Sequence, residues 1–267
     1  MWDGKKVISW TPSGRHKFLR LLIPYLSNPI IDHHVFYINT DKEDDLTFIA
    51  NTVKNNPKFS MLKAPKNKTF GIRDITYAYE YLKEDAFYIR IDDDICFIDK
   101  SCIENLLQSY DDKYFMVFPF ILNNSICSFL LDHYGIINFS AATGYNCLDQ
   151  IGWEDWQTAD TIHKTFVMNP NRLIEKINKL PEWLILPGER FSCNLFLTTG
   201  DNIKNIGREF GNVDEERWLS NYLYNQRKTC LVNPRSVACH YSYYAQYEKL
   251  GDKYINSYSQ LIETACS

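Results

Sequence analysis

Short strand-like segments alternate with helical segments along the first hundred residues of this 267-residue chain. Runs of β-branched and aromatic residues are typical of buried strands, and apolar residues repeated every three to four positions are typical of helices. These patterns predict strands at residues 6–10, 35–38, 59–62, 88–91 and 95–98. They predict the intervening helices at residues 15–26, 44–53 and 72–82. Because strand–helix–strand units are right-handed and place their strands in parallel, the expected fold is α/β, a mostly parallel sheet flanked by helices.

Three consecutive carboxylates, Asp92, Asp93 and Asp94, separate the last two of these apolar segments. Carboxylates are almost never buried without a partner, so the triplet should lie at a strand end and meet solvent, a cation or both. Alternate side chains of an extended strand face the same way, which places Asp92 with Asp94 and turns Asp93 away. Two converging carboxylates suit Mg2+ or Mn2+ better than zinc. The alternative is an acidic turn that binds nothing.

Further polar residues follow the first two predicted strands, Thr11 after the first and Asp41 after the second. Ligands of parallel α/β sheets bind at the carboxyl ends of the strands. We therefore expect Thr11, Asp41 and the aspartate triplet to face one crevice.

Composition and charge narrow the possible partners. A hydrophobic content of 45% allows a large core in one domain, with room for a substantial insertion. The net charge of -4 argues against nucleic acid as a partner. Eight cysteines without a C-x-x-C pair argue against a zinc site or a disulfide scaffold.

Membrane segments are not evident either. No apolar run approaches the roughly 20 residues of a membrane span. The first six residues precede only a short apolar stretch, unlike a secretory signal, so we expect a cytoplasmic protein. The predicted helix at 15–26 is basic at its start, which fits either a core helix with a solvated cationic face or peripheral contact with a membrane surface.

Two more elements appear late in the chain. Asp214, Glu215 and Glu216 open a predicted helix, with Asp214 as a natural N-cap, and acidic residues in a first turn already favour a helix electrostatically. His240 follows a strand-like run and precedes an aromatic-rich stretch.

With these elements in this order, the chain resembles a glycosyltransferase of the GT-A type, in the nucleotide-diphospho-sugar transferase superfamily. The run from Arg90 to Ile95 looks like the D-x-D motif of that superfamily, and the acids at 214–216 look like its x-E-D element. His240 resembles the late histidine that returns to the metal or the diphosphate. The resemblance implies one GT-A domain over residues 1–267, with a nucleotide-sugar half at 1–100 and an acceptor half at 101–267. A variable acceptor-binding insertion would occupy about residues 120–187.

The resemblance also implies a reaction: metal-dependent transfer of a sugar from a nucleotide-diphospho-sugar, with a UDP-sugar expected first, to a hydroxyl acceptor. The acceptor would be a glycan, including a lipid-linked glycan or polysaccharide, or a protein. Attack opposite the leaving group would invert the anomeric configuration, whereas an acid at 216 that only orients the acceptor leaves a retaining course open.

Roles for single residues follow from the same resemblance. Asp94 would bind Mn2+ or Mg2+, with Asp92 close to the metal or the ribose and His240 completing the shell, while Asp93 would be structural or touch the ribose. Thr11 and Asp41 would contact the nucleoside, and Arg73 would contact the diphosphate. Glu216 would be the catalytic base, with Glu215 and then Asp214 as alternatives.

Other interpretations stay open. Glu154 and Asp155 form a second acidic pair, although no clear helix with an apolar residue in the required place is predicted after it. A sugar-nucleotide nucleotidyltransferase normally has a glycine-rich phosphate loop after its first strand, where this chain has one glycine in residues 11–15. A non-catalytic carbohydrate-binding protein would require all these acids to be structural. Aromatic residues and one histidine of the central segment are candidates for stacking on sugar rings or for the core: Tyr145, Trp153, Trp156, His163 and Trp183.

Overall fold

The computed structural model describes residues 1–63, 74–206 and 214–266. Its strands are β1 (Lys6–Ser13), β2 (His33–Ile38), β3 (Phe59–Lys63), β4 (Ala86–Ile91), β5 (Ile95–Ile98), β6 (Tyr114–Leu122), β7 (Trp183–Ile185), β8 (Leu195–Thr199) and β9 (Thr229–His240). Its α-helices are α1 (His16–Leu26), α2 (Glu43–Asn55), α3 (Cys102–Ser109), α4 (Ser125–His133), α5 (Trp156–Met168), α6 (Pro170–Ile177), α7 (Gly200–Asn205), α8 (Glu215–Asn225), α9 (Tyr244–Leu250) and α10 (Ile255–Cys266).

All nine strands of the described residues join one sheet. Its order is β3-β2-β1-β4-β8-β6-β9-β5, and β7 pairs with β9. The strands β3, β2, β1 and β4 are parallel, as are β6 and β9, whereas β8 runs antiparallel to β4 and β6. Helices flank this sheet, which confirms the predicted α/β class.

The predicted elements of the first hundred residues are present, with two differences. β1 continues to Ser13 instead of ending at Trp10, because Thr11, Pro12 and Ser13 pair with β2. β4 pairs with β1 only as far as Trp10, so Pro12 lies where β1 is paired on one side, a place that tolerates proline.

The second difference concerns the helix predicted at 72–82. Its described part is a 3-10 helix at Ile75–Glu80, in which Tyr81 N–H donates to the Ala78 carbonyl. Residues 72 and 73 lie outside the described residues. Apolar positions three apart face one side in either kind of helix, so the pattern located the segment without identifying its hydrogen bonding.

α1 is amphipathic and buries its apolar face. Phe18, Leu19 and Leu22 are fully or almost fully buried, and the helix contacts β5 and α10. The apolar side of this basic helix therefore belongs to the core. None of the described helices is both long and apolar enough to span a membrane. The seven cysteines whose side chains are described are free and buried.

The segment predicted as an insertion contains α4, α5, α6, β7 and a π-helical turn at Gln150–Glu154. The expectation that no clear helix follows Glu154 and Asp155 was wrong. α5 begins at Trp156, and Asp155 caps it by accepting from the N–H groups of Gln157 and Thr158.

Candidate functional site

A cleft of about 540 Å3 opens at the carboxyl ends of β1, β2 and β4. Residues after these strands line it, together with the start of α8, the segment before β8 and the residues around the end of β9. The aspartate triplet forms the tight turn between β4 and β5, where Ile95 N–H donates to the Asp92 carbonyl. The sheet therefore brings the acidic motif, the acidic helix and the late histidine to one place.

Within this cleft Asp92, Asp94 and His240 lie together. One ligand atom from each can be chosen so that all three fall within 4.8 Å of one another. Asp93 instead faces the junction between β1 and α1, where its carboxylate accepts from Gly14 N–H at 3.0 Å. Asp93 thus faces away from Asp92 and Asp94, and it does so in a turn rather than in the extended strand from which this separation was predicted.

Asp94 is buried, and its two carboxylate oxygens differ. Oδ2 lies 3.2 Å from His240 Nε2 and 3.1 Å from Arg15 Nη1. Oδ1 is buried and has no hydrogen-bond partner among the described residues. Although burial opposes ionisation, Arg15 and His240 hold the pKa of Asp94 below its usual range. A buried, ionised oxygen without a partner is costly unless a cation meets it.

His240 is oriented by the backbone. Its Nδ1 lies 3.1 Å from the carbonyl oxygen of Asn123, so the Nδ1–H donates there and Nε2 is left facing Asp94. The lone pairs of His240 Nε2 and Asp94 Oδ2 would repel each other at 3.2 Å unless a proton or a metal ion lay between them. Burial lowers and the Asp94 carboxylate raises the pKa of His240, and the net shift is upward. A backbone carbonyl behind a histidine is the usual support of a metal-ligating imidazole.

The residues present therefore fit a divalent cation. Two carboxylates and one imidazole converge, one carboxylate oxygen is orphaned, and the imidazole has its outer nitrogen engaged. Oxygen-rich sites with a single imidazole suit Mn2+ or Mg2+ better than zinc.

Asp92 is held by two neighbours, Arg90 and Asn194. Arg90 Nη1 forms an ion pair with Asp92 Oδ1 at 2.7 Å, without the alignment of a hydrogen bond. Asn194 Nδ2 donates to Oδ2 at 3.1 Å. The same Arg90 side chain, only 3% exposed, donates through Nη2 to Glu215 at 2.6 Å. Arg90 thus connects the aspartate turn to α8.

The three acids at the start of α8 have different partners. Asp214 is the N-cap and accepts from Arg217 N–H, and its carboxylate also meets Arg190 at 2.9 Å. Glu215 is buried, and besides Arg90 it accepts from the Tyr79 hydroxyl at 2.6 Å.

Glu216 differs from both. It accepts from Arg190 through Nε at 3.1 Å and Nη2 at 2.9 Å, and from Cys193 N–H at 3.2 Å. Its side chain keeps 22% exposure on the cleft. Of the alternatives, Glu215 is buried in an ion pair and Asp214 serves as the cap.

The expected nucleoside contacts are placed differently from each other. Asp41 is exposed and lines the cleft, whereas Thr11 is fully buried within β1 and does not line it. Because β1 extends to Ser13, it is Gly14 and Arg15 that reach the cleft. Arg73 lies outside the described residues.

The candidates for stacking on sugar rings in the central segment lie in different environments. Trp153 lines the cleft beside Tyr243, with 5.8 Å between ring centroids. His163 is fully buried, with its ring nitrogens near the Tyr258 hydroxyl and the Tyr241 carbonyl, so it belongs to the core.

The sequence interpretation missed several residues that hold this site: Arg15, Arg90, Asn123, Arg190 and Asn194. Arg90 had a visible signal, a charged residue inside a segment predicted to be buried strand. The others carry no local signature, because their partners lie far away in the chain.

No protein-family model and no curated protein matches the sequence. Among solved structures, the chain is similar to GalNAc-T7, solved with UDP, GalNAc and Mn2+, with a TM-score of 0.54 and 13% identity over 97% of this chain and 48% of that one. It is also similar to glucosyl-3-phosphoglycerate synthase from Mycobacterium tuberculosis, solved with Mn2+, UDP and glucosyl-3-phosphoglycerate. That match has a TM-score of 0.50 and 10% identity over 98% of this chain and 79% of that one.

A 4-diphosphocytidyl-2C-methyl-D-erythritol synthase matches over 39% of this chain and 53% of its own, with a TM-score of 0.32. The chain thus spans about half the length of this synthase and of GalNAc-T7. The likeness to GalNAc-T7 and to glucosyl-3-phosphoglycerate synthase, at 13% and 10% identity, establishes the fold alone. The predicted GT-A fold is confirmed.

Proposed function

We propose that this chain is a metal-dependent glycosyltransferase that moves a sugar from a nucleotide-diphospho-sugar to a hydroxyl acceptor. The observation that carries the proposal is the convergence of Asp92, Asp94 and His240 in the cleft. The buried Asp94 Oδ1 has no hydrogen-bond partner in the described part of the chain. A UDP-sugar is the first donor to test, and both similar structures were solved with UDP and Mn2+.

The charge of the cleft supports a metal requirement. Among the described residues that line it, seven carboxylates stand against four Lys and Arg side chains. A diphosphate entering this field would be repelled by like charge unless a divalent cation accompanied it. Asp92, Asp94 and His240 would hold the ion, which when bound offsets the charge that develops on the leaving nucleoside diphosphate.

The short connection after β1 favours the transferase over a nucleotidyltransferase. Gly14 and Arg15 alone join β1 to α1. A triphosphate cradle needs several backbone N–H groups from a glycine-rich loop at this point.

Glu216 is the proposed base. It lines the cleft with part of its side chain exposed, and Arg190 orients its carboxylate through two hydrogen bonds. An acceptor hydroxyl that donates its proton to Glu216 would attack opposite the leaving group, giving inversion. NMR of the product anomer tests this step, and a product that retains the donor configuration refutes Glu216 as the base.

The acceptor we propose is a glycan hydroxyl. Three aromatic rings border the cleft beside His240, namely those of Trp153, Tyr243 and Tyr244, and aromatic rings offer amphipathic faces to sugars. Tyr244 is 76% exposed, which leaves its ring open to a ligand. An acceptor screen should therefore include oligosaccharides and lipid-linked glycans.

Calorimetry with UDP and Mn2+ tests the proposal directly. The wild-type protein should bind UDP in the presence of Mn2+ and lose that binding in EDTA. Asp94→Asn should abolish the metal-dependent part, whereas the control Asp44→Asn, on the exposed first turn of α2, should not change it. Unchanged UDP binding by Asp94→Asn, or no metal-dependent binding by the wild type, would refute the proposal.

A further inference from the structure

We propose that Arg15 binds the donor's diphosphate and that Asp93 holds it ready to do so. This inference rests on the proposed function and adds a residue to it. It gives Asp93, the member of the triplet that faces away from the metal-ligand cluster, a defined task.

Arg15 lies between two of the aspartates. Its Nε donates to Asp93 Oδ1 at 2.9 Å, its Nη2 donates to the same oxygen, and its Nη1 lies 3.1 Å from Asp94 Oδ2. A guanidinium carries five N–H groups, so at least two remain for a ligand. The side chain is 35% exposed and lines the cleft. Arg15 is therefore fixed on one side and open on the other.

Asp93 holds the backbone at Gly14 as well as the side chain of Arg15. Besides Arg15, its carboxylate accepts from Gly14 N–H through Oδ2 at 3.0 Å. The residue is only 4% exposed, so this anchor is shielded from water. A side chain already ordered in the free protein loses little conformational entropy when a ligand binds. The planar guanidinium can also donate two parallel hydrogen bonds to a pair of phosphate oxygens.

Arg15 is close to the candidate metal ligands. Its Nη1 and His240 Nε2 approach the same oxygen of Asp94. A diphosphate bound to an ion at this cluster would therefore have the Arg15 guanidinium one carboxylate away. The carboxylates of Asp92 and Asp94 already offset most of the charge of a divalent ion. A further cation beside the metal would therefore stabilise the two negative charges of the diphosphate.

The other Lys and Arg side chains that line the described cleft either form ion pairs with acids or lie beside Asp41. Arg90 is buried between Asp92 and Glu215, and Arg190 is paired with two acids of α8. Lys42 is exposed at the start of α2, on the Asp41 side. Arg15 is the described cation that combines an anchor, exposure and contact with a candidate metal ligand.

The test compares ligands with and without phosphates. Calorimetry at saturating Mn2+ should show Arg15→Gln binding UDP about 10- to 100-fold more weakly, the loss expected for hydrogen bonds to a charged group. Binding of uridine should stay within about twofold, because uridine offers no phosphate to a guanidinium. Arg15→Lys should recover part of the UDP affinity, since it keeps the charge without the paired geometry.

Arg20→Gln is the matched control, because it removes the same charge from an exposed position of the same helix. It should bind UDP like the wild type. Mn2+ titrated alone should bind Arg15→Gln at least as tightly as wild type, because a cation beside Asp94 has been removed.

The outcomes separate the two proposals. Wild type that binds UDP with Mn2+, together with Arg15→Gln that binds it equally well, overturns the role of Arg15 and leaves the transferase proposal standing. Parallel losses for UDP and uridine also overturn it, because they mean that Arg15 only supports the fold. Wild type that binds no nucleotide with Mn2+ overturns both. If Arg15→Gln does not fold, Arg15→Lys decides by the same UDP-to-uridine comparison.

Discussion

Replacing Arg90 by methionine should destabilise this protein severely, because Arg90 is the cation of a buried ion pair. The guanidinium is 3% exposed and Glu215 is 4% exposed, and the two side chains are joined at 2.6 Å. Methionine keeps most of the apolar stem but leaves Glu215 with only the Tyr79 hydroxyl at 2.6 Å as a partner. Breaking a buried pair by removing one partner costs about 3 to 5 kcal/mol. We expect the free energy of unfolding to fall by that amount near neutral pH.

The matched variants show whether buried charge is the cause. Glu215→Gln keeps an oxygen for Tyr79 and leaves Arg90 its contact with Asp92, so it should cost only about 1 to 2 kcal/mol. The double variant Arg90→Met/Glu215→Gln removes the uncompensated carboxylate. It should therefore be more stable than Arg90→Met alone, a coupling of about 1 to 3 kcal/mol.

The effect should also depend on pH. Burial raises the pKa of Glu215 even against the opposing effect of Arg90, and without Arg90 it should rise further. A carboxyl whose pKa is higher in the folded than in the unfolded state binds its proton more tightly when folded. Its stabilising contribution is present below the unfolded pKa and is lost as the pH rises through the folded pKa. The destabilisation by Arg90→Met should therefore be smaller at about pH 5 than at about pH 8.

Urea denaturation followed by tryptophan fluorescence measures these differences. Trp10 and Trp218 both lie 5.3 Å from the Tyr79 ring, so they report on this region. A double variant no more stable than Arg90→Met, or a pH-independent loss, would refute the buried-charge explanation.

Four further results are expected. Free Mn2+ at about 100 times its Kd should raise the free energy of unfolding by about 2.7 kcal/mol, and Asp94→Asn should show no such gain in thermal unfolding. Asn123 has a φ of 59°, so Asn123→Gly should keep the carbonyl behind His240, whereas Asn123→Val should weaken Mn2+ binding about tenfold in calorimetry. Glu216→Gln should lower kcat by at least about 100-fold and leave the Kd for UDP within about twofold in a transfer assay. Gly200→Ala should cost about 3 kcal/mol in urea denaturation, because the new Cβ would lie 2.0 Å from the Glu84 carbonyl oxygen.

The strands and helices of the first hundred residues were predictable because their signals are local. A strand alternates or runs apolar over a few residues, and α1 repeats its apolar residues at helical spacing. The position of the aspartate triplet at a strand end followed from the cost of burying charge. The grouping of Asp92 with Asp94 was predicted from strand alternation, whereas the structure places the three residues in a turn.

The contacts and strand limits that the sequence did not predict were missed for two physical reasons. The contact between Arg90 and Glu215 joins residues 125 positions apart, and no local pattern indicates such a partner. The limits of β1 depend on pairing with β2, which is why Thr11 was expected at the cleft and Arg15 was not. The helix α5 was different, because a capping Asp155 and apolar residues at helical spacing were present in the sequence.

The three aspartates attach one four-residue turn to segments from almost the whole length of the chain. Asp93 contacts residues 14 and 15, Asp92 contacts residue 194, and Asp94 contacts residue 240. During synthesis the turn emerges long before its last partner, and closing loops of this length is slow. The cleft should therefore be one of the last parts of the protein to form. A chain stopped after β5 should leave Asp92 without Asn194 and Asp94 without His240, and should need a chaperone or the remaining sequence to stay in solution.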